Sequence, residues 1–130
     1  MKRLLIVLLL LTVLGCGYTD IISVEDIDPE LRVNTQIELL DLSLGYYQLD
    51  VGRYPSTDAG LDALLVQPAG MGAKWRGPYL QKAIPLDPWG NAYYYELVEI
   101  RGLFYHHIWS AGPDTIDGTE DDIIKKSEDR

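Results

Sequence analysis

The longest periodic stretch of the chain runs from 29 to about 50. Val33, Ile37, Leu40, Leu44 and Tyr47 recur at the three- and four-residue spacing of a helix face, with Leu31 and Leu49 widening the stripe. Arg32, Asn34, Gln36, Asp41 and Gln48 take much of the other side. Asp28-Pro29-Glu30 reads as a helix start: an N-cap, a proline at the first helical position and an acid in the first turn. Gly45 inside the helix costs ~1 kcal/mol relative to alanine, so tertiary packing is expected to support that turn. Gly52 offers a C-terminal cap, and Pro55 cannot continue the helix.

Ser56 or Thr57 caps a second, short helix predicted over 58–66, with Leu61, Leu64 and Leu65 on one face. The stretch 67–77 is a Gly/Pro-rich loop whose Trp75 covers the core from outside. Prolines and glycines over 77–91 exclude a central strand or a long helix there, leaving a shaped loop held by Tyr79 and Trp89. Over 92–100 the pattern changes to alternation: Tyr93, Tyr95 and Leu97 on one side, Tyr94, Glu96 and Val98 on the other. Arg101-Gly102 turns the chain and 103–110 returns as the partner of an antiparallel hairpin. Ile123-Ile124 offers a last short strand before a charged tail. A hairpin alone is marginal in water, so the helix must cover one of its faces. The fold class is α+β: a long N-terminal helix packed on a small antiparallel sheet with long ordered loops.

The N-terminus follows another pattern. Lys2 and Arg3 precede an apolar run over 4–14, broken only by Thr12, and then Gly15-Cys16. A membrane-spanning helix takes ~20 residues, so the run reads as the core of a signal peptide. Val13-Leu14-Gly15-Cys16 resembles a bacterial lipobox, in which the cysteine is lipidated and begins the mature chain. Stable anchoring takes two or more acyl chains, which a diacylglyceryl cysteine supplies. The expected organisation is a signal peptide at 1–15, lipidated Cys16 and a tether over 16–28, a globular domain over 29–124 and a charged tail over 125–130. Cys16 is the single cysteine, so the chain forms no internal disulfide.

The net charge of -9 becomes -11 when Lys2 and Arg3 leave with the signal peptide. That balance argues against nucleic acid as a partner and suits an exported domain that uses a divalent cation. The acids concentrate in SAGPDTIDGTEDDI, from 110 to 123, which holds Asp114, Asp117, Glu120, Asp121 and Asp122. Gly112, Pro113 and Gly118 break regular structure through it. Taken alone, the stretch fits either a solvated acidic turn or an oxygen-ligand site for a hard cation, for which calcium is the best match. Its spacing is not that of an EF-hand, because Thr119 falls where glycine is needed and Lys125 where the closing glutamate is needed. His106 and His107 are adjacent on a strand and point to opposite faces, which disfavours a zinc site. The acids lie on one loop rather than across a cleft, and no nucleophile elbow occurs, so an enzyme is not expected. Most of the tyrosines are expected to cover the sheet and its loops.

Four stretches carry a family resemblance, in order: LDVGRYPST from 49 to 57 with Gly60, Leu61 and Leu64; WRGPYL from 75 to 80; Ile84-Pro85 with DPWGN from 87 to 91 and Tyr93; and Ser110, Gly112, Asp114, Gly118 and Asp122-Ile123. Over 31–124 the chain resembles the C-terminal globular domain of the major pseudopilin of the type II secretion system. The resemblance implies a three-stranded sheet and one structural calcium ion in the loop after the second strand. Asp114 and Asp122 would be its best side-chain ligands, with Asp117 and Asp121 next and backbone carbonyls near Ser110 completing the shell. It further implies partners among other pseudopilins or secretion-system envelope proteins. The N-terminus departs from the family's basic leader and unbroken apolar helix. The expectation is therefore a non-enzymatic, calcium-stabilised domain in the bacterial cell envelope, lipid-anchored with the domain in the periplasm or outside the cytoplasmic membrane, and serving type II secretion or a related pilus-like system. A free-standing envelope lipoprotein that reuses the fold for an unrelated partner is the alternative.

Overall fold

The computed structural model describes residues 27–126; the expected signal peptide, Cys16 and most of the tether lie outside the described residues. Helix α1 spans Pro29–Val51. The Asp28 side chain accepts hydrogen bonds from the Glu30 and Leu31 N–H groups at 2.8 and 3.3 Å, satisfying two of the donors a helix start leaves open. Gly52, at φ 87°, closes the other end with its N–H on the Gln48 carbonyl, a left-handed cap that glycine adopts without a Cβ penalty.

Val33, Ile37, Leu40, Leu44 and Tyr47 are fully buried, as the periodicity requires. Each such side chain contributes about 1.5–3 kcal/mol of burial. The helix departs from expectation in two ways. Leu31 and Leu49 do not widen the buried stripe; they are 59% and 80% exposed and lie with Leu42 and Tyr46 on the opposite side of the cylinder. Asp41, assigned to the polar side, is instead buried in the core. An apolar row thus faces outward along α1 while an acid faces inward.

The segment after the helix is tighter than predicted. Turns carry the chain to a short 3-10 helix over Leu61–Leu64, in place of an α-helix over 58–66. Gly60, at φ 59° and ψ -160°, lies outside helical geometry, so an α-helix cannot run through it from 58. Neither Ser56 nor Thr57 caps it: Gly60 is the N-cap, the Ser56 hydroxyl accepts from the Ala59 N–H at 3.2 Å within the preceding turn, and the Thr57 hydroxyl accepts from the Leu97 N–H at 3.0 Å and ties that turn to the sheet. A second 3-10 turn spans Gly72–Lys74. Trp75 then closes over the core, its indole N–H on the Ala63 carbonyl at 2.9 Å.

Strands β1 (Tyr94–Ile100), β2 (Leu103–Ser110) and β3 (Ile123–Lys126) form an antiparallel sheet with β2 in the middle. Arg101 and Gly102 both have positive φ, as a two-residue hairpin turn of this hand requires. Tyr94 pairs with Trp109 and Ser110 with Ile123, so the loop from 111 to 122 begins and ends at one edge of the register. Strand β3 includes Lys125 and Lys126 and so extends past the Ile123-Ile124 pair expected to form it. The core lies between α1 and the sheet face that bears Tyr93, Tyr95 and Ile108. Among the described residues no helix is long and apolar enough to cross a membrane.

Candidate functional site

The acidic loop rests on a buried polar joint. Asp87 is only 4% exposed, and its carboxylate accepts from the Trp89 and Asn91 N–H groups at 3.1 and 2.7 Å and from the Ser110 hydroxyl at 2.7 Å. Backbone bonds between Asp87 and Asn91 and from Gly90 to Asp87 close the DPWGN turn around that side chain. Ser110, fully buried, accepts in turn from the Gly112 N–H at 3.1 Å. The loop that was expected to be merely shaped is therefore the footing of the acidic segment. The Ser110 hydroxyl faces Asp87, which leaves backbone carbonyls as the ligands this position can offer a cation.

Beyond Ser110 the chain makes a sequence of tight turns. Gly112 has φ 67°, and a Cβ there would meet the Asp121 carbonyl oxygen at 2.2 Å, so the two ends of the loop touch through this glycine. Thr115 also has positive φ, at 62°, an uncommon conformation for a residue with a side chain. The Asp114 carboxylate accepts from the Ile116 N–H at 2.8 Å, and the Asp114 N–H donates to Asp121 Oδ2 at 3.0 Å. Asp121 Oδ1 accepts from the Thr119 hydroxyl at 2.6 Å. These bonds, led by the Thr119 hydroxyl and then the Asp114 N–H, hold the Asp121 carboxyl below its usual pKa and keep it ionised. Asp122 Oδ2 accepts from the Gly118 N–H at 2.9 Å, and its Oδ1 is buried without a hydrogen-bond partner among the described residues. Asp117 Oδ1 accepts from the Trp109 indole at 2.6 Å, and Trp109 stacks on Tyr94 with ring centroids 5.3 Å apart.

The residues suit a hard oxygen-seeking cation in chemistry and in one orphaned atom, Asp122 Oδ1. The Asp121 carboxylate is tied to the Asp114 backbone N–H and the Asp122 carboxylate to the Gly118 N–H at the closed neck of the loop, whereas Asp117 is turned to Trp109. Among the described residues no three His, Cys, Asp or Glu side chains already converge on one point. A cation held here would need carbonyl oxygens in addition to those carboxylates, as calcium's six to eight ligands allow. Cys16, the expected lipidation site, lies outside the described residues.

Sequence reasoning missed one further constellation. His106, read only as unsuited to a zinc site, is buried with Nε2 2.8 Å from Asp41 Oδ1, and the Tyr54 ring sits edge-on to it with ring centroids 4.4 Å apart. An inward acid on a helix opposite an inward histidine on a strand was the available signal, and a helical-stripe reading hides it.

A long capped helix laid on a three-stranded antiparallel meander, with an ordered acidic loop joining its last two strands, is the head-domain fold of a pseudopilin. The chain belongs to the family described as type II secretion system (T2SS), protein G, whose model matches residues 28–126. It is similar to the type II secretion system core protein G of Pectobacterium carotovorum, 39% identical over 92 residues that make up 68% of this chain and 57% of that protein. The Pseudomonas aeruginosa protein of the same name is 37% identical over 65% of this chain and 60% of its own length. The chain therefore matches less than two thirds of the length of these relatives. The crystal structure of the major pseudopilin from the type 2 secretion system of enterohaemorrhagic Escherichia coli superposes with a TM-score of 0.63 at 33% identity, covering 75% of this chain and 85% of that one.

Proposed function

We propose that the chain is a non-enzymatic, calcium-stabilised pseudopilin head tethered to the cell envelope through lipidated Cys16, acting as a component or accessory of type II protein secretion. The observation that carries this reading is the match to the protein G family over 28–126, a span that includes the DPWGN footing and the acidic loop. Asp114, Asp121 and Asp122, with Asp117 and carbonyls near Ser110, would hold one calcium ion, which supplies positive charge against five clustered acids. The chain's own contribution is to bring 112 and 121 into contact and to bury one oxygen of Asp122.

The outward row of Leu31, Leu42, Tyr46 and Leu49 is the surface offered to other pseudopilins or secretion-system envelope proteins. A row of large apolar side chains on one helix face is the pattern of a surface that another protein covers. The test is made in a bacterium that carries this chain. Deleting its gene should reduce export of type II substrates, and a cysteine placed at Leu42 should crosslink to an envelope secretion protein. Full export after deletion would remove the secretion role. Palmitate labelling that persists in Cys16→Ser would remove the lipid anchor.

A further inference from the structure

A groove of about 370 Å³ opens at the C-terminal end of α1, away from the acidic loop, between the helix, the turns after it and the hairpin. Its walls are apolar: Tyr54, Met71, Leu97 and Phe104. Ser56 also lines the groove, its hydroxyl already committed to the Ala59 N–H, and two further polar groups interrupt the walls. One is the hydroxyl of Tyr47, a residue with no exposed surface, which has no hydrogen-bond partner among the described residues. A buried hydroxyl without a partner has lost its hydration and gained no bond in return, so such a group calls for an explanation. The other is Arg53, close enough to oppose the upward pull of burial on the Tyr47 hydroxyl's pKa.

Arg53 and Met71 also line an adjoining groove of about 290 Å³ together with Lys74. Two cations thus line the adjoining groove in a chain whose net charge is -9. Neither has an ion pair among the described residues. Arg53 and Met71, which line the groove with Tyr47, are long and unbranched, so either can shift as a group enters.

We propose that this groove binds the C-terminal carboxylate of a partner polypeptide whose last side chain is apolar. The apolar side chain fills the space between Met71, Leu97 and Phe104. The carboxylate, slim and at the end of the chain, accepts from the Tyr47 hydroxyl and from the Arg53 guanidinium, with Lys74 adding positive charge from the adjoining groove. A planar guanidinium offers a carboxylate two parallel bonds, and a groove of this volume suits a ligand of one or two residues. The site is built without the acidic loop and does not depend on calcium.

The test uses the full chain, labelled with nitrogen-15, and follows amide shifts while N-acetylphenylalanine is added. The amide of the same compound and acetate serve as companions. The free acid should shift Arg53, Met71 and Leu97 in a saturable way, and neither companion should. Arg53→Gln, an exposed change that leaves the fold intact, should weaken binding about tenfold, and Tyr47→Phe should do the same. No shifts, equal shifts from the amide, equal shifts from acetate, or undiminished binding in Arg53→Gln would each overturn the proposal. Should Tyr47→Phe fail to fold, Arg53→Gln still decides it.

Discussion

His106 Nε2 lies 2.8 Å from Asp41 Oδ1, and both side chains are buried, so the middle strand and the helix are joined by a polar bond inside the core. Burial pushes the imidazole down from 6.5 to about 4, with the neighbouring His107 adding to the effect. The folded protein therefore keeps His106 neutral, and the imidazole N–H donates to the Asp41 carboxylate.

This depression makes stability depend on pH in a defined direction. The unfolded chain takes up its proton near 6.5 and the folded chain only near 4, so between these values the unfolded state binds more protons. The contribution is fully present above 6.5 and is lost as the pH falls through that window, by at most about 1.4 kcal/mol per pH unit. Urea unfolding of the wild type should weaken more than that of His106→Gln when both are moved from about pH 7 to about pH 4.5. Equal losses in the two proteins would remove His106 from the acid response.

Asp87 anchors three donors at once, from Trp89, Asn91 and Ser110. Replacing it with alanine leaves two backbone N–H groups and a fully buried hydroxyl without their acceptor. Asp87→Ala should cost roughly 3 kcal/mol, at about 1 kcal/mol per bond, measured by urea unfolding at neutral pH. A loss under ~1 kcal/mol would mean that the DPWGN turn holds itself and that Ser110 needs no partner.

The contrast between Asp87 and α1 explains what the sequence could and could not reveal. The helix was legible because Val33, Ile37, Leu40, Leu44 and Tyr47 repeat with a period that only one local structure has. The hairpin was legible because alternation and a two-residue turn agree. Leu31 and Leu49 misled because hydrophobicity alone does not say which side of a cylinder meets the core, and α1 is apolar on two sides. Asp41 and His106 were hidden because a buried pair is visible only when elements 65 residues apart are brought face to face. The acidic loop could be located from its composition. Its footing on Asp87 could not, since nothing local links that position to Ser110, 23 residues away.

Gly45 sits inside α1 where a Cβ would meet nothing within 4 Å. Its packing in the folded domain does not require glycine, and the turn is held by the buried Leu44 and Tyr47 beside it. Gly45→Ala should therefore raise stability by about 0.5–1 kcal/mol, through helix propensity and a less disordered unfolded chain. Thermal melting reads this as an increase of a few degrees. A decrease would reveal that the helix backbone at Gly45 is approached by something the described fold does not contain.

Gly112→Ala should have the opposite sign. The left-handed φ of 67° costs a residue with a Cβ about 1–3 kcal/mol, and the added carbon would sit 2.2 Å from the Asp121 carbonyl oxygen. The clash is with backbone, so the neck of the loop must open rather than adjust a rotamer. Hydrogen exchange should increase at Asp114 and Gly118, whose N–H groups are bonded to Asp121 and Asp122 across that neck. Unchanged protection there would mean that the loop's own turns, not the contact between 112 and 121, set its shape.

Calcium should stabilise the folded chain through the same neck. A cation bound only by the folded state adds about 2.7 kcal/mol at a concentration a hundredfold above its dissociation constant. For a domain of this size that corresponds to a rise in melting temperature on the order of 10 °C. Magnesium should do less, because it requires a near-octahedral shell and this loop is irregular. Asp122→Ala should abolish the rise, since it removes the carboxylate whose Oδ1 is buried without a partner among the described residues, and Asp114→Ala should greatly reduce it. Asp117→Ala should reduce it less, because one oxygen of Asp117 is already committed to the Trp109 indole. Asp62→Ala, an exposed acid on the 3-10 helix Leu61–Leu64, should leave the rise intact. A melting temperature that does not respond to calcium would leave the loop as a solvated acidic turn held by its own hydrogen bonds. A response that survives both Asp114→Ala and Asp122→Ala would place the ion elsewhere.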